Sequence, residues 1–208
     1  IIRELCKKGR AQLKEIKDAV VGAYADSKYN AKELTQLGYK EVDVLPLLDL
    51  SHLEIPQPDL EFSDSKEPKN IIFVGRLAPH KNQRLLIEVF FYLKMKWPKH
   101  SRLTLVGGGD PIYTRYLKLL TRQLGISHSV QFTGHVTDEE LRHLYDLADA
   151  FVCTSLHEGF CVPLVEAMKH NVPVFYIPEG AVPETMGDAG LRLETRSPVA
   201  ISEIRSEE

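Results

Sequence analysis

Between Asn70 and Ile177 the chain alternates two kinds of hydrophobic pattern. Short continuous apolar runs, Ile71-Ile72-Phe73-Val74 among them, read as strands buried on both faces, and longer stretches with apolar residues at three- and four-residue steps read as amphipathic helices. The spacing predicts strands at Asn70 to Gly75, Arg102 to Val106, Val130 to Thr133, Ala150 to Thr154 and Val172 to Ile177. Between them fall helices over Asn82 to Lys96, Ile112 to Leu124, Asp138 to Leu147 and Pro163 to Lys169. Strand and helix in strict alternation imply a parallel sheet covered on both faces.

Upstream the pattern is less regular. Ile2, Leu5, Cys6, Leu13, Ile16 and Val20 mark an amphipathic helix with a basic polar face. A strand at Val20 to Ala25, a helix from Ser27 to Leu37 stopped by Gly38, and a strand at Val42 to Leu47 follow. From Ser51 to Lys69 acidic residues and Pro56, Pro58 and Pro68 remove all periodicity, as in a linker. The expected organisation is the tail of one α/β domain over 1–50, a linker over 51–69, and a Rossmann-like, doubly wound α/β domain over 70–208. An opening Ile1-Ile2 without Met reads as a piece of something longer.

Composition narrows the function classes. Net charge is -3 over 208 residues, which gives no global field for nucleic acid. Three cysteines, Cys6, Cys153 and Cys161, have no metal-ligand spacing and read as reduced thiols, so a cytoplasmic setting is expected. No run of about 18 apolar residues is present to span a bilayer. The basic face of the first helix would suit either solvent or an anionic membrane surface.

In a doubly wound sheet ligands bind beyond the carboxyl ends of the strands, so the exit loops hold the chemistry. The first, Gly75 to Asn82, offers Arg76 and Lys81, a fork of donors and a point charge suited to a diphosphate; alone, the pair would equally serve surface carboxylates. The second is Gly107-Gly108-Gly109-Asp110. Ile112 stands where a dinucleotide fingerprint needs glycine, which leaves either close backbone approach or a tight turn. In the third, Gly134, His135 and Val136 can edge a base, and Thr137 or Asp138 caps a helix with Glu140. The fourth is the most informative. Glu158 lies before a helix whose first turn holds Pro163, so the free amides of Phe160, Cys161 and Val162 face an anion, with Glu166 eight positions beyond Glu158. Carboxylates flanking an anion site suit a sugar nucleotide, with sugar hydroxyls for Glu158, a diphosphate at the helix end and ribose hydroxyls for Glu166.

The run Glu158-Gly-Phe-x-x-Pro-x-x-Glu166-Ala, with Phe-Val-Gly-Arg76 and Lys81 upstream and Pro183-Glu184 and Gly187-Asp-Ala-Gly190 downstream, resembles the retaining glycosyltransferases of family 4. The likeness is continuous from about Asn70 to Leu193, and Ala25-Asp26-Ser27 and Val44-Leu45-Pro46 resemble the end of that family's first domain. It implies the GT-B architecture, with Arg76 and Lys81 as the diphosphate clamp, Glu158 on the donor sugar, the amides of Gly159, Phe160, Cys161 and Val162 on sugar and phosphate, and Glu166 on the ribose. It also implies transfer from a nucleoside diphosphate sugar without cofactor or metal to a glycan or lipid-linked acceptor held by the other domain, with peripheral membrane association of the whole enzyme. The present stretch would be a donor-binding part, inactive alone and without the family's final crossing helix. Two departures stand out. Cys161 occupies a position where the family commonly has glycine, and His170-Asn171 replaces a Cys-Gly pair. Competing readings are a non-catalytic nucleotide- or carbohydrate-binding module and a sugar-nucleotide epimerase of similar architecture; the parallel sheet and the Arg-Lys pair count against a glycoside hydrolase built on Glu158 and Glu166.

Overall fold

The computed structural model describes residues 2–45 and 69–203. The chain forms two compact units, residues 1–53 and 54–208. In the first, α1 (Ile2–Ile16) precedes β1 (Ala23–Ala25), α2 (Lys28–Leu37) and β2 (Val42–Val44), the two strands pairing in parallel. Ser27 caps α2 by accepting from the Asn30 amide at 3.2 Å, and Gly38 closes it in a left-handed conformation at φ 99°. The Tyr39 hydroxyl donates to the Leu13 carbonyl at 2.9 Å and so ties α1 to the turn after α2. The first helix ends one turn earlier than its hydrophobic pattern, because Val20 and Val21 remain exposed instead of being buried.

The second unit carries a six-stranded, wholly parallel sheet formed by β3 (Asn70–Val74), β4 (Arg102–Val106), β5 (Val130–Gly134), β6 (Ala150–Cys153), β7 (Val174–Tyr176) and β8 (Leu191–Arg192). Their spatial order is β5-β4-β3-β6-β7-β8. The first three strands run outward from β3 and the rest from β6 in the opposite direction, so strand order reverses between β3 and β6. Helices α3 (Gln83–Lys94), α4 (Pro111–Gln123), α5 (Asp138–Asp146) and α6 (Val162–Lys169) connect them. Leu86 and Phe90 of α3, Leu103 and Leu105 of β4 and Leu117 of α4 are fully buried and form the centre of the core.

Differences from the sequence pattern have local causes. Asn82 adopts a left-handed conformation at φ 52°, so α3 starts at Gln83 and a single 3-10 turn, Pro79–Lys81, precedes it. Pro173 has no amide for the ladder, and Val172 donates back to Ala167 of α6, which shortens β7 to three residues. The elements α7 (Val182–Met186), β8 and α8 (Pro198–Ile201) have five, two and four residues, too few to show a period. The linker assigned to 51–69 lies, apart from Lys69, outside the described residues, as do Pro46 and Leu47 of the expected second strand.

Candidate functional site

Two loops leave the sheet on either side of the point where strand order reverses. The β3 loop contains Gly75 and Arg76 and leads into the 3-10 turn, while the β6 loop runs from Thr154 to Cys161. They are stitched together: the Leu156 amide donates to the His80 carbonyl at 2.7 Å, and the buried Thr154 hydroxyl donates to the Lys81 and Asn82 carbonyls at 3.3 and 3.1 Å. From below, the Gln83 side-chain amide donates to the Arg76 carbonyl at 2.9 Å.

Across this seam Lys81 Nζ reaches both carboxylate oxygens of Glu158, at 2.6 and 2.7 Å. Lys81 keeps 19% of its side-chain surface exposed and Glu158 7%. A carboxylate this deep needs its counter-charge, and leaving either partner alone would cost about 3 kcal/mol. The two residues that sequence reasoning gave to different parts of a donor are thus each other's partners. His80 senses the same cluster. Its imidazole is held below the ordinary histidine range first by burial and next by Lys81, with Glu158 opposing and His157 and Arg76 adding weaker repulsion.

The loop geometry around Glu158 depends on a residue that the sequence reading passed over. Gly180, at φ 62°, lies so close that a Cβ there would stand 2.5 Å from the Glu158 carbonyl oxygen and 2.7 Å from its nitrogen. The next amide, of Ala181, donates to that carbonyl at 2.9 Å. Thr185 of α7 donates its hydroxyl to the Phe160 carbonyl at 2.5 Å. The only sequence signal for this support was a glycine in the loop after β7. Cys161 closes the loop in a left-handed conformation, φ 68° and ψ 67°, and the first turn of α6 follows with Pro163 in it. The glycine-like backbone is therefore kept in spite of the Cβ, at a cost of about 1 kcal/mol. Asn171, at φ 55°, occupies the other departure, and asparagine adopts this region more readily.

Glu166 lies further along α6, half-buried, and accepts from the Tyr145 hydroxyl at 2.9 Å. Tyr145 also stacks on His170 with ring centroids 5.2 Å apart, and its phenol is driven upward in pKa by burial first and then by the Glu166 charge. This anchor of the Glu166 carboxylate is one that the sequence did not single out, since a tyrosine in an amphipathic helix reads as core.

The remaining predicted residues border a neighbouring cleft of about 550 Å³ lined by Gly75, Arg76, Gly107 to Gly109, His135 and Val136. The three consecutive glycines are explained by close approach. A Cβ at Gly107 would meet the Gly75 carbonyl oxygen at 2.4 Å, at Gly108 the His135 ring at 2.3 Å, and at Gly109 the Leu77 carbonyl oxygen at 2.2 Å. Gly134 lines a second cavity, of about 720 Å³, on the other flank of the same glycines. Thr137 caps α5 in a reciprocal box with Glu140, which orients the loop carrying His135 and Val136. The structure thus joins Lys81 to Glu158, and Arg76 to His135 and the glycines, while Glu166 is engaged by Tyr145.

Residues 59–203 match the family described as glycosyl transferases group 1. The chain belongs to that family. Among its relatives, the O-antigen chain mannosyltransferase B of Escherichia coli is 34% identical over 134 residues, which cover 63% of this chain and 34% of that protein. Mannosylfructose-phosphate synthase of Agrobacterium fabrum is 36% identical over 113 residues, covering 51% of this chain and 25% of the synthase. The chain therefore matches about a third or less of these curated relatives. Anabaena HepE, solved with UDP and glucose, superposes with a TM-score of 0.74 at 20% identity, covering 93% of this chain and 56% of that one. The C-terminal domain of a group 1 family protein from Francisella tularensis gives a TM-score of 0.57 at 26% identity, covering 71% of this chain and 80% of that domain. The sheet is that of the GT-B glycosyltransferases. Among the described residues no helix is long and apolar enough to cross a membrane.

Proposed function

We propose that this chain is the donor-binding part of a retaining, family 4 glycosyltransferase that moves a sugar from a nucleoside diphosphate sugar to a glycan or lipid-linked acceptor. The observation that carries the reading is the Lys81–Glu158 ion pair across the two switch-point loops. A half-buried cation and a buried acid held at one spot can exchange partners, the ammonium turning to a diphosphate and the carboxylate to sugar hydroxyls, without leaving either charge unmet. The first turn of α6 has amides with no intrahelical acceptor and favours an anion beside them. Glu166 suits the ribose hydroxyls, and the cleft bordered by His135 and Val136 suits the base. HepE binds UDP and glucose in a fold of the same kind, and several relatives are mannosyltransferases, which makes UDP- and GDP-linked hexoses the donors to try.

In this mechanism Arg76 and Lys81 stabilise the negative charge that grows on the departing diphosphate, the part a metal ion takes in other transferases. No side chain of the chain acts as nucleophile. The acceptor comes from the other domain of the whole protein, in the cytoplasm and at the membrane surface where the acceptor is lipid-linked. The chain alone is expected to bind nucleoside diphosphate without transferring sugar.

Calorimetric titration separates the two acids. Glu166→Ala is expected to weaken UDP or GDP and the corresponding sugar nucleotide alike. Glu158→Gln is expected to leave the free diphosphate bound at least as well, because Lys81 is released, while weakening the sugar nucleotide by about 1.5–3 kcal/mol, the worth of a charged hydrogen bond. Equal losses on both ligands in Glu158→Gln, in a variant whose circular dichroism is unchanged, would overturn the assignment.

A further inference from the structure

The function proposed above has no use for a thiol at Cys161, yet the side chain stands where the backbone disfavours one and is directed to another thiol. Cys153, at the end of β6, is buried, and Cys161 is partly exposed. Their sulfurs and a carboxylate oxygen of Glu158 lie within 4.8 Å of one another. The two thiols act on each other electrostatically across that gap, and Ser155 acts on Cys153 from the next turn of the loop. Ser155 Oγ, in a fully buried residue, has no hydrogen-bond partner. That hydroxyl gains its natural acceptor when the neighbouring sulfur becomes a thiolate.

We propose that Cys153 and Cys161 form a dithiol modification site, which small-molecule disulfides convert to an intramolecular disulfide that remodels the Glu158 loop. The two thiols share their protons unequally. Cys161, and then Ser155, lowers Cys153 against the opposing effect of burial, while Cys153 and burial raise Cys161. Reaction begins at the reachable sulfur. Cys153 first gives its proton to water; as Cys161 then attacks one sulfur of RSSR, its proton passes to the Cys153 thiolate, a Cys161–SR bond forms, the RS–SR bond breaks, and RS⁻ leaves. RS⁻ takes the proton from Cys153, whose thiolate attacks Cys161 Sγ and expels the second RS⁻, protonated from water. Two protein thiols and RSSR give one disulfide and two RSH. The bond ties the residue before α6 to the end of β6, on either side of Glu158, and so moves the acid and the first-turn amides away from the positions the donor reading requires.

The test uses the full chain and oxidised glutathione as the probe. After incubation and denaturing alkylation, trypsin releases both cysteines in one peptide, His143 to Lys169, since no Lys or Arg lies between. The expected product is that peptide unalkylated and about 2 Da lighter than the dithiol form, a single Cys–Cys bond replacing two S–H groups. Cys153→Ser is expected to stop at a glutathione adduct on Cys161, and Cys161→Ser to leave Cys153 unmodified. A lasting glutathione adduct in the unsubstituted chain, or two alkylated cysteines, would overturn the site. The effect on donors rests on the function proposed above and is read separately, as a tenfold or greater fall in UDP or GDP affinity on oxidation, restored by dithiothreitol. Unchanged affinity with the disulfide formed would refute the remodelling. A reduced chain that binds no nucleotide would refute the donor reading and the donor effect with it, leaving the disulfide to stand or fall on its mass.

Discussion

His80 connects the charges of the switch-point loops to the stability of the fold. Its pKa in the folded chain lies below the ordinary 6.5, mainly through burial and then through Lys81. Between the folded and unfolded pKa values the unfolded chain binds the additional proton, so this contribution to stability is intact above about pH 6.5 and is lost as pH falls through that window. A His80→Gln variant is expected to lose less melting temperature than the unsubstituted chain between pH 7 and pH 5. Equal losses in scanning calorimetry would show that His80 does not carry this dependence. The same residue-level logic separates the two unusual backbones. Asn171 fits a left-handed position, whereas Cys161 requires its sulfur contact to make sense of one.

At the scale of elements, three exit loops are pressed together by the glycines after β4. The Gly75 amide donates to Val106, the Leu77 amide to Gly108, and the Gly107 amide to Gly134, so the loops after β3, β4 and β5 are joined by backbone hydrogen bonds. Adding a methyl group has consequences set by what it meets. At Gly109 it would strike the Leu77 carbonyl, which is fixed in a bridge with Gly109 itself, while at Gly108 it meets the movable ring of His135. Gly109→Ala is expected to destabilise the chain by about 3 kcal/mol and Gly108→Ala by about 1 kcal/mol, measured by urea unfolding. The reverse order would mean that the His135 ring is held more firmly than the Leu77 backbone.

For the whole molecule, binding at the switch point should appear as stabilisation, since the loops that would grip a ligand belong to the unit with the large core. At a hundred times its dissociation constant a nucleoside diphosphate adds about 2.7 kcal/mol. For a chain of this length that corresponds to roughly 5–11 °C in melting temperature. The expected outcome is such a rise with UDP or GDP in the unsubstituted chain and a smaller one in Glu166→Ala at the same concentration. No rise at millimolar nucleotide would remove the site from the second unit.

Much of this was legible in one dimension. Continuous runs such as Ile71 to Val74 and Leu103 to Val106 are buried on both faces wherever they fold, so their parallel sheet followed from the pattern; Ser27, Gly38 and Thr137 ended or opened helices because capping depends on neighbours in sequence. The charged residues of the β3 and β6 loops could likewise be named as candidates, since a strand's exit loop is identified once the strand is. Their partners could not. Lys81 and Glu158 are 77 positions apart and meet only because β3 and β6 are adjacent where strand order reverses, and Tyr145 finds Glu166, and Gly180 finds Glu158, across elements whose packing no local period records. Patterning within a segment reports how much of it is buried, while the pairing of charges, thiols and close backbones is decided by the strand order that brings distant loops together.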